Sequence, residues 1–413
     1  MNIHRHAFLV LSAALILLGE AAAQEWTRFR GPNGSGVSES KGVPVTWTEK
    51  DFRWRVAIPG DGDGQPVIWG DKLFVTSAVD KGAERMLLCL SKEDGKELWS
   101  KKLPMGTYNK NKSRCWALTT PAVDKDHVFA TFADEEKYLV KAYDHAGKEL
   151  WTVNLGPFKS QHGMGASPMI FEEKLIVMND QDGDSCIVAL DLKSGKTIWK
   201  CARRGVKEET AYCTPTVLQR KGFPTELLTT SFAHGISSVD PKTGTLLWEA
   251  KVFDKRAVSS PVVVGDLVFG TCGSGGGGNF VAAVRLGGKG DVTSSHLAYT
   301  IKKAAPYVPT PLSVGDRLYL VSDDGVASAV EAATGKIIWS ERVGKEFFSS
   351  PVLIDGKVYI PSTSGEMVVF ATGEEFKLLS RNPLGEGSRS TPCVDGDRIY
   401  VKTFTHLVCL GGK

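Results

Sequence analysis

The chain has 413 residues, 42% of them hydrophobic and 9% aromatic, which is ample for a large packed core. Its 50 basic and 47 acidic residues are interspersed and leave a net charge of +3. With no basic run and no interleaving of aromatic and basic residues, nucleic acid is excluded as an expected partner.

Residues 1–23 read as a targeting segment. His4, Arg5 and His6 precede an apolar run over residues 7–18, and Ala21, Ala22 and Ala23 offer a small-residue cleavage site before Gln24. This is the pattern of a secretory signal peptide, too short for a membrane span with stop-transfer flanks. Cleavage after Ala23 predicts a periplasmic or secreted protein with no transmembrane segment in the mature chain. No cysteine lies near the cleavage point, so a lipid anchor is not expected. Export permits disulfides. The eight cysteines include no Cys-x-x-Cys pair, which excludes a covalently held c-type haem. Cys89, Cys186 and Cys409, set among apolar neighbours, read as small buried hydrophobes.

Residues 24–50 form an irregular lead-in rich in Gly, Pro and Asn, containing Trp26, Phe29 and the run Gly31-Pro32-Asn33-Gly34. Its aromatics predict packing across one face of the domain that follows. No helix or Lys-Ser/Thr comes after its glycines, which argues against a phosphate loop.

From residue 51 onward the chain repeats. A Ser/Thr-Pro pair opens each unit at Thr120, Ser167, Thr214, Ser260, Thr310, Ser350 and Thr391, and Gln65-Pro66 is a degraded first copy. By subtraction the eight prolines are 55, 47, 47, 46, 50, 40 and 41 residues apart. A period in this range points to propeller blades. The clearest unit starts at Ser350, with short apolar runs separated by Asp355-Gly356 and Ser364-Gly365. Asp-Gly between apolar runs is a hairpin signal, since both central positions tolerate positive φ. A tryptophan closes most units, Trp99, Trp151, Trp199, Trp248 and Trp339, each four residues after a turn glycine. Tyr299 and Leu379 take its place in units five and seven.

The eighth unit, residues 391–413, has three strands, and residues 52–58 offer the missing fourth. The prediction is an all-β, eight-bladed β-propeller of four-stranded antiparallel blades over residues 51–413, closed by pairing of the N-terminal strand with the last blade. Closure removes exposed sheet edges.

Three irregular loops stand out. Residues 78–85 read as an insertion in blade one. Asp180, Asp182 and Asp184 alternate around a glycine in blade three, a weak calcium pattern without the usual downstream bidentate Glu. Gly275 to Gly278 in blade five read as a flexible loop first and a ligand cradle second.

Loops that enter the inner strands meet at the central channel. Just before the Ser/Thr-Pro pairs lie Arg114, Trp116, His162, Tyr212, Arg256, Tyr307, Phe347, Phe348 and Arg389, and blade one is entered through Asp61-Gly62-Asp63-Gly64. Arginines and aromatic rings suit a flat or anionic ligand, or a peptide, by stacking and paired hydrogen bonds. No nucleophile elbow and no His-x-x-x-His pair occurs, so no catalytic residue is assigned.

The repeat resembles the pyrroloquinoline quinone (PQQ)-type propeller family, marked by Ala-x-Asp-x-x-x-Gly-x-x-x-Trp. Ala189, Asp191, Gly195 and Trp199 fit it fully, Asp240, Gly244 and Trp248 nearly so, and Glu331, Gly335 and Trp339 with Glu for Asp. The family holds both quinone-dependent dehydrogenases and non-enzymatic scaffolds. Its dehydrogenases carry a vicinal disulfide and a Glu/Asn/Asp calcium site, whereas no adjacent cysteines occur here. The resemblance is nearest to the outer-membrane assembly (BamB-like) scaffold branch. It implies a non-catalytic module that binds cell-envelope proteins or a small ligand on the channel face, with no cofactor expected. The alternative it implies is a PQQ-dependent oxidoreductase, with PQQ and calcium as cofactors.

Overall fold

The computed structural model describes residues 26–107, 115–205 and 210–412. The proposed signal segment and Arg114 lie outside the described residues. The described chain forms eight sheets, each a four-stranded antiparallel blade of one eight-bladed β-propeller. A short inner strand follows each Ser/Thr-Pro pair, as at Met169–Phe171 and Val352–Ile354. The proline thus sits just before the ladder begins and costs no hydrogen bond. In blade seven the first hairpin turns at Asp355 (φ 48°) and Gly356 (φ 70°), which lets Ile354 pair with Lys357.

Phe52–Ala57 runs antiparallel to His406–Leu410 and completes blade eight beside Cys393–Asp395 and Arg398–Lys402. The expected insertion at residues 78–85 is instead a continuation of two long strands. Lys72–Val79 and Glu84–Ser91 stay paired up to Val79 and Glu84, across the turn Asp80–Gly82. Two blades gain a fifth, parallel strand: Val37–Ser38 of the lead-in joins blade seven, and Gly290–Asp291 joins blade four.

Neighbouring blades are locked by a repeated contact. Trp54, Trp99, Trp151 and Trp199 each lie against the turn glycine of the next blade, Gly95, Gly147, Gly195 and Gly244. A Cβ on any of these would come within 2.6–2.8 Å of the ring. The indole N–H then donates to a carbonyl of that same turn, Lys92, His145, Leu192 or Pro241, at 2.8–3.3 Å. Tyr299 does the same against Gly335 and the Ala332 carbonyl. Trp248 departs from the rule and donates to Glu226 at 2.7 Å. The corresponding stretch of blade five carries Gly290–Asp291 and the helical turn Thr293–His296 in place of the glycine turn.

A second contact runs around the channel. The backbone N–H of Gln65 donates to the Thr120 hydroxyl, that of Thr120 to Ser167, and so on through Thr214, Ser260, Thr310, Ser350 and Thr391, at 3.0–3.3 Å. The circuit is completed by the Gln65 amide, which donates to the Pro392 carbonyl at 3.2 Å.

The lead-in closes one end of this channel. Arg28 donates to the Pro215 carbonyl at 2.6 Å and Arg30 to that of Pro311 at 2.9 Å. The Arg30 N–H donates to the Gln65 side chain at 2.8 Å. Among the described residues neither arginine meets a carboxylate, and burial pulls their pKa values down to about 10 and about 9. The aromatics alone suggested a packed lead-in; the structure fastens it through buried arginines.

The channel mouth as candidate functional site

The lead-in's carbonyl partners Pro215 and Pro311 are the prolines of Ser/Thr-Pro pairs, whereas the predicted site residues precede the pairs. The plug therefore lies beyond the site along the inner strands. His162, Tyr212, Arg256, Tyr307, Phe348 and Arg389 line one cavity of about 410 Å³, and Phe29 of the lead-in also borders it. That volume lies within the range of small-molecule sites.

The wall follows a rule that the sequence reading did not use. The residues two places before the hydroxyl or Gln65 of each unit all line the cavity: Asp63, Leu118, Gly165, Tyr212, Val258, Val308, Phe348 and Arg389. Each blade thus places one residue on the wall at a fixed offset. Gly165 contributes no side chain, and its space is filled by Tyr212, whose ring would lie 2.7 Å from a Cβ there. The offset from the Ser/Thr-Pro pairs was the signal that could have found Leu118, Gly165, Val258 and Val308, and singled out Asp63 within the blade-one entry loop.

Arg389 is held between the Phe348 and Phe404 rings, 5.5 and 5.1 Å from their centroids. Among the described residues it has no hydrogen bond or ion pair, and its buried Nε finds no partner. Arg256 donates to Gln161 at 2.8 Å and lies 3.4 Å from the Tyr307 hydroxyl. The Tyr212 and Ser160 hydroxyls are 3.3 Å apart, and burial pushes the Tyr212 phenol well above its ordinary range. Burial also raises the Asp63 carboxyl, against the attraction of Lys402 and Arg389. Lys402 itself is buried, which lowers its pKa, and it donates to the Gly62 carbonyl. The mouth is thus mostly apolar, with two guanidinium groups on its wall and one carboxylate facing a buried lysine.

Two predicted residues fall elsewhere. Trp116 packs on Gly82, where a Cβ would lie 2.5 Å from the indole, and does not border the cavity. Phe347, expected at the channel, is fully buried in the core between blades six and seven, over Gly344. The Asp180, Asp182 and Asp184 carboxylates do not converge on a shared point. Asp180 accepts from Arg203 Nε through both oxygens at 2.8 and 2.9 Å, and Asp182 accepts from Thr210 at 2.8 Å. Among the described residues no group of three or more His, Cys, Asp or Glu gathers as a metal-binding set. All eight cysteines are free thiols and buried. Among the same residues no helix is long and apolar enough to cross a membrane.

Comparison with known proteins places this ring. The BamB of Moranella endobia (strain PCIT), an outer membrane protein assembly factor, is 21% identical over 392 residues, covering 87% of this chain and 90% of its own. The BamB of Legionella pneumophila (strain Paris) is 24% identical over 182 residues, 43% of this chain and 46% of that protein. A polyvinylalcohol dehydrogenase of a Pseudomonas species is 31% identical over 165 residues, 36% of this chain and 24% of that enzyme. These two matches span less than half of the relatives' length.

Among solved structures, a europium-containing methanol dehydrogenase superposes with a TM-score of 0.68 at 12% identity, covering 93% of this chain and 90% of its own. BamB from Moraxella catarrhalis superposes with a TM-score of 0.60 at 17% identity, covering 86% and 98%. At such identities the likeness is one of fold, and this fold hosts both enzymes and assembly factors. The family model described as outer membrane protein assembly factor BamB matches residues 45–271 and 236–408. Across most of its length, then, the chain belongs to the PQQ-like β-propeller family of outer membrane protein assembly factor BamB.

Proposed function

We propose that this protein is an exported, non-catalytic binding module of the cell envelope that takes a protein segment or small ligand at the channel mouth. The observation that carries this reading is the mouth itself. It is a largely apolar cavity lined by Arg389, whose guanidinium makes no hydrogen bond or ion pair among the described residues and whose attraction to Asp63 is shared with Lys402, and among those residues no nucleophile is set beside a base. A half-buried guanidinium clamped by two rings, its Nε buried without a hydrogen-bond partner, is costly unless an anionic group completes it. The assembly-factor relatives support a protein partner. The apolar opening of residues 1–23 supports export.

The test is capture from solubilised envelope proteins on immobilised protein, with Arg389→Gln alongside. A partner held by the wild type and lost by the variant is the expected result. Equal capture by both would remove the channel mouth as the binding site.

A second reading, a PQQ-dependent oxidoreductase, is favoured by one feature. Aromatic walls with Arg256 and Arg389 suit a flat ring that bears carboxylates. Calcium fits less well, because the one carboxylate on the wall, Asp63, already faces Lys402 and Arg389. Titration of the protein with PQQ, with and without calcium, followed by tryptophan fluorescence, separates the two. The binding-module reading expects no saturable calcium-dependent quenching, and such quenching at micromolar concentration would replace it with the oxidoreductase.

A further inference from the structure

A larger cavity, about 1160 Å³, lies between blades five and six on the same face. Gly275, Tyr307 and Phe348 border both this groove and the channel mouth, so the two spaces adjoin. Its floor on the blade-five side is the glycine run. A Cβ at Gly275 or Gly277 would meet nothing within 4 Å, so these glycines are not small in order to let other groups pack. They leave room. Phe280, Ala304 and Ala305 give the groove apolar wall, and Asp323 accepts the N–H groups of Tyr307 and Val308 at 2.6 and 3.0 Å, which stiffens the passage into the mouth.

Resting on the channel-mouth reading above, we infer that the groove and mouth together bind the C-terminal end of an extended peptide. The argument is first topological. The mouth is a dead end, closed from the far side by the lead-in, and the groove is a passage leading into it. A loop needs a way in and a way out, whereas a chain terminus needs one passage.

Charge then decides which terminus. Three lysines and four carboxylates line the groove, and Arg342, 3.6 Å from Asp324, brings the balance close to neutral. The mouth adds Arg256 and Arg389, against Asp63 with its neighbour Lys402. Positive charge therefore grows toward the closed end. A terminal carboxylate placed at Arg389 would complete that guanidinium by charge-assisted hydrogen bonds, while a terminal ammonium would be repelled. The last side chain would rest among Tyr212, Phe348 and Val308, which favours an apolar or aromatic terminal residue. The preceding residues would lie along the groove in the extended form, alternating faces.

The probe is a fluorescein-labelled Gly-Ser-Gly-Ser-Gly-Leu-Phe peptide, made once with a free C-terminal carboxylate and once as the amide, read by fluorescence anisotropy on the whole chain. The free acid is expected to bind at least about tenfold more tightly than the amide. Arg389→Gln should erase that ratio. Gly275→Leu, which has open space and an ordinary φ, should weaken the acid about tenfold by filling the groove. Equal binding of acid and amide overturns the terminus assignment but leaves the mouth as a binding site. Loss with Arg389→Gln but not with Gly275→Leu overturns the groove. Failure of both peptides to bind overturns the inference, and envelope capture that survives Arg389→Gln would overturn the underlying reading separately.

Discussion

His234 shows how neighbours choose a protonation state. Its Nδ1 lies 2.7 Å from the Glu249 carboxylate, and its Nε2 accepts the Arg204 backbone N–H at 3.1 Å. One ring nitrogen donates and the other accepts, which is the neutral imidazole. Burial, then repulsion from Arg203, brings its pKa from 6.5 down to about 4. A folded pKa below the unfolded one means that, between those values, the unfolded chain binds a proton the folded chain refuses. Stability is therefore lost as pH falls from about 6.5 to about 4. Glu249 acts in the same direction. Burial pushes it up, but bonds from Arg204 and His234 outweigh that and hold it below its usual range, so protonating it also costs stability. Urea unfolding at about pH 7 and about pH 4.5 should differ by about 2 kcal/mol through His234. His234→Gln should shrink the difference. An unchanged difference would place the acid sensitivity elsewhere.

At the scale of the element, the contact between an indole and the next blade's turn explains why the Gly-x-x-x-Trp spacing recurs. The glycine serves the previous blade's ring and the tryptophan serves the next blade's glycine, so the motif is half of two joints. Gly195 has φ 68° and a Cβ would lie 2.8 Å from Trp151. Gly70 has φ 58° and open space around it. Gly70→Ala should cost about 1 kcal/mol, the conformational term alone. Gly195→Ala should cost about 2–4 kcal/mol, since overpacking is added to it. Equal losses in chemical denaturation would show that the joint yields easily.

The blade count, the strand order and the closing strand were legible because each leaves a periodic mark: the Ser/Thr-Pro pairs, the turn glycines and the residue run at 52–58. Of the site, Tyr212, Phe348 and Arg389 were legible for their chemistry. Val258, Val308 and Leu118 were passed over because an aliphatic residue before a strand looks like core. Trp116 was misplaced because its ring lies against Gly82 and not against the cavity. The role of Arg28 and Arg30 as a plug could not be read at all. Two exposed-looking basic residues in a glycine-rich stretch give no sign that backbone carbonyls await them more than 180 residues away.

At the scale of the molecule, stability depends on closure. Trp54 is nearly buried, stacks on Gly95 of blade one and belongs to the strand that completes blade eight, so it joins the first and last blades by side chain as well as backbone. Trp54→Ala should cost about 3–5 kcal/mol. It should also raise light scattering on mild heating, because a loosened seam frees two sheet edges. A variant that melts like the wild type without added scattering would mean that the backbone pairing closes the ring unaided.

The hydroxyl circuit around the channel carries a consequence for symmetry. Each unit brings one N–H to give and one hydroxyl to receive, so any unit can stand beside any other, and duplication or loss of a blade would leave every joint chemically intact. Eight equivalent places would give a plug eight equivalent ways to sit. Gln65 breaks that equivalence, since it has no hydroxyl but offers an amide that receives Arg30. The worn first copy of the repeat is thus an index mark on the ring, a place that helps tell the lead-in which way to face.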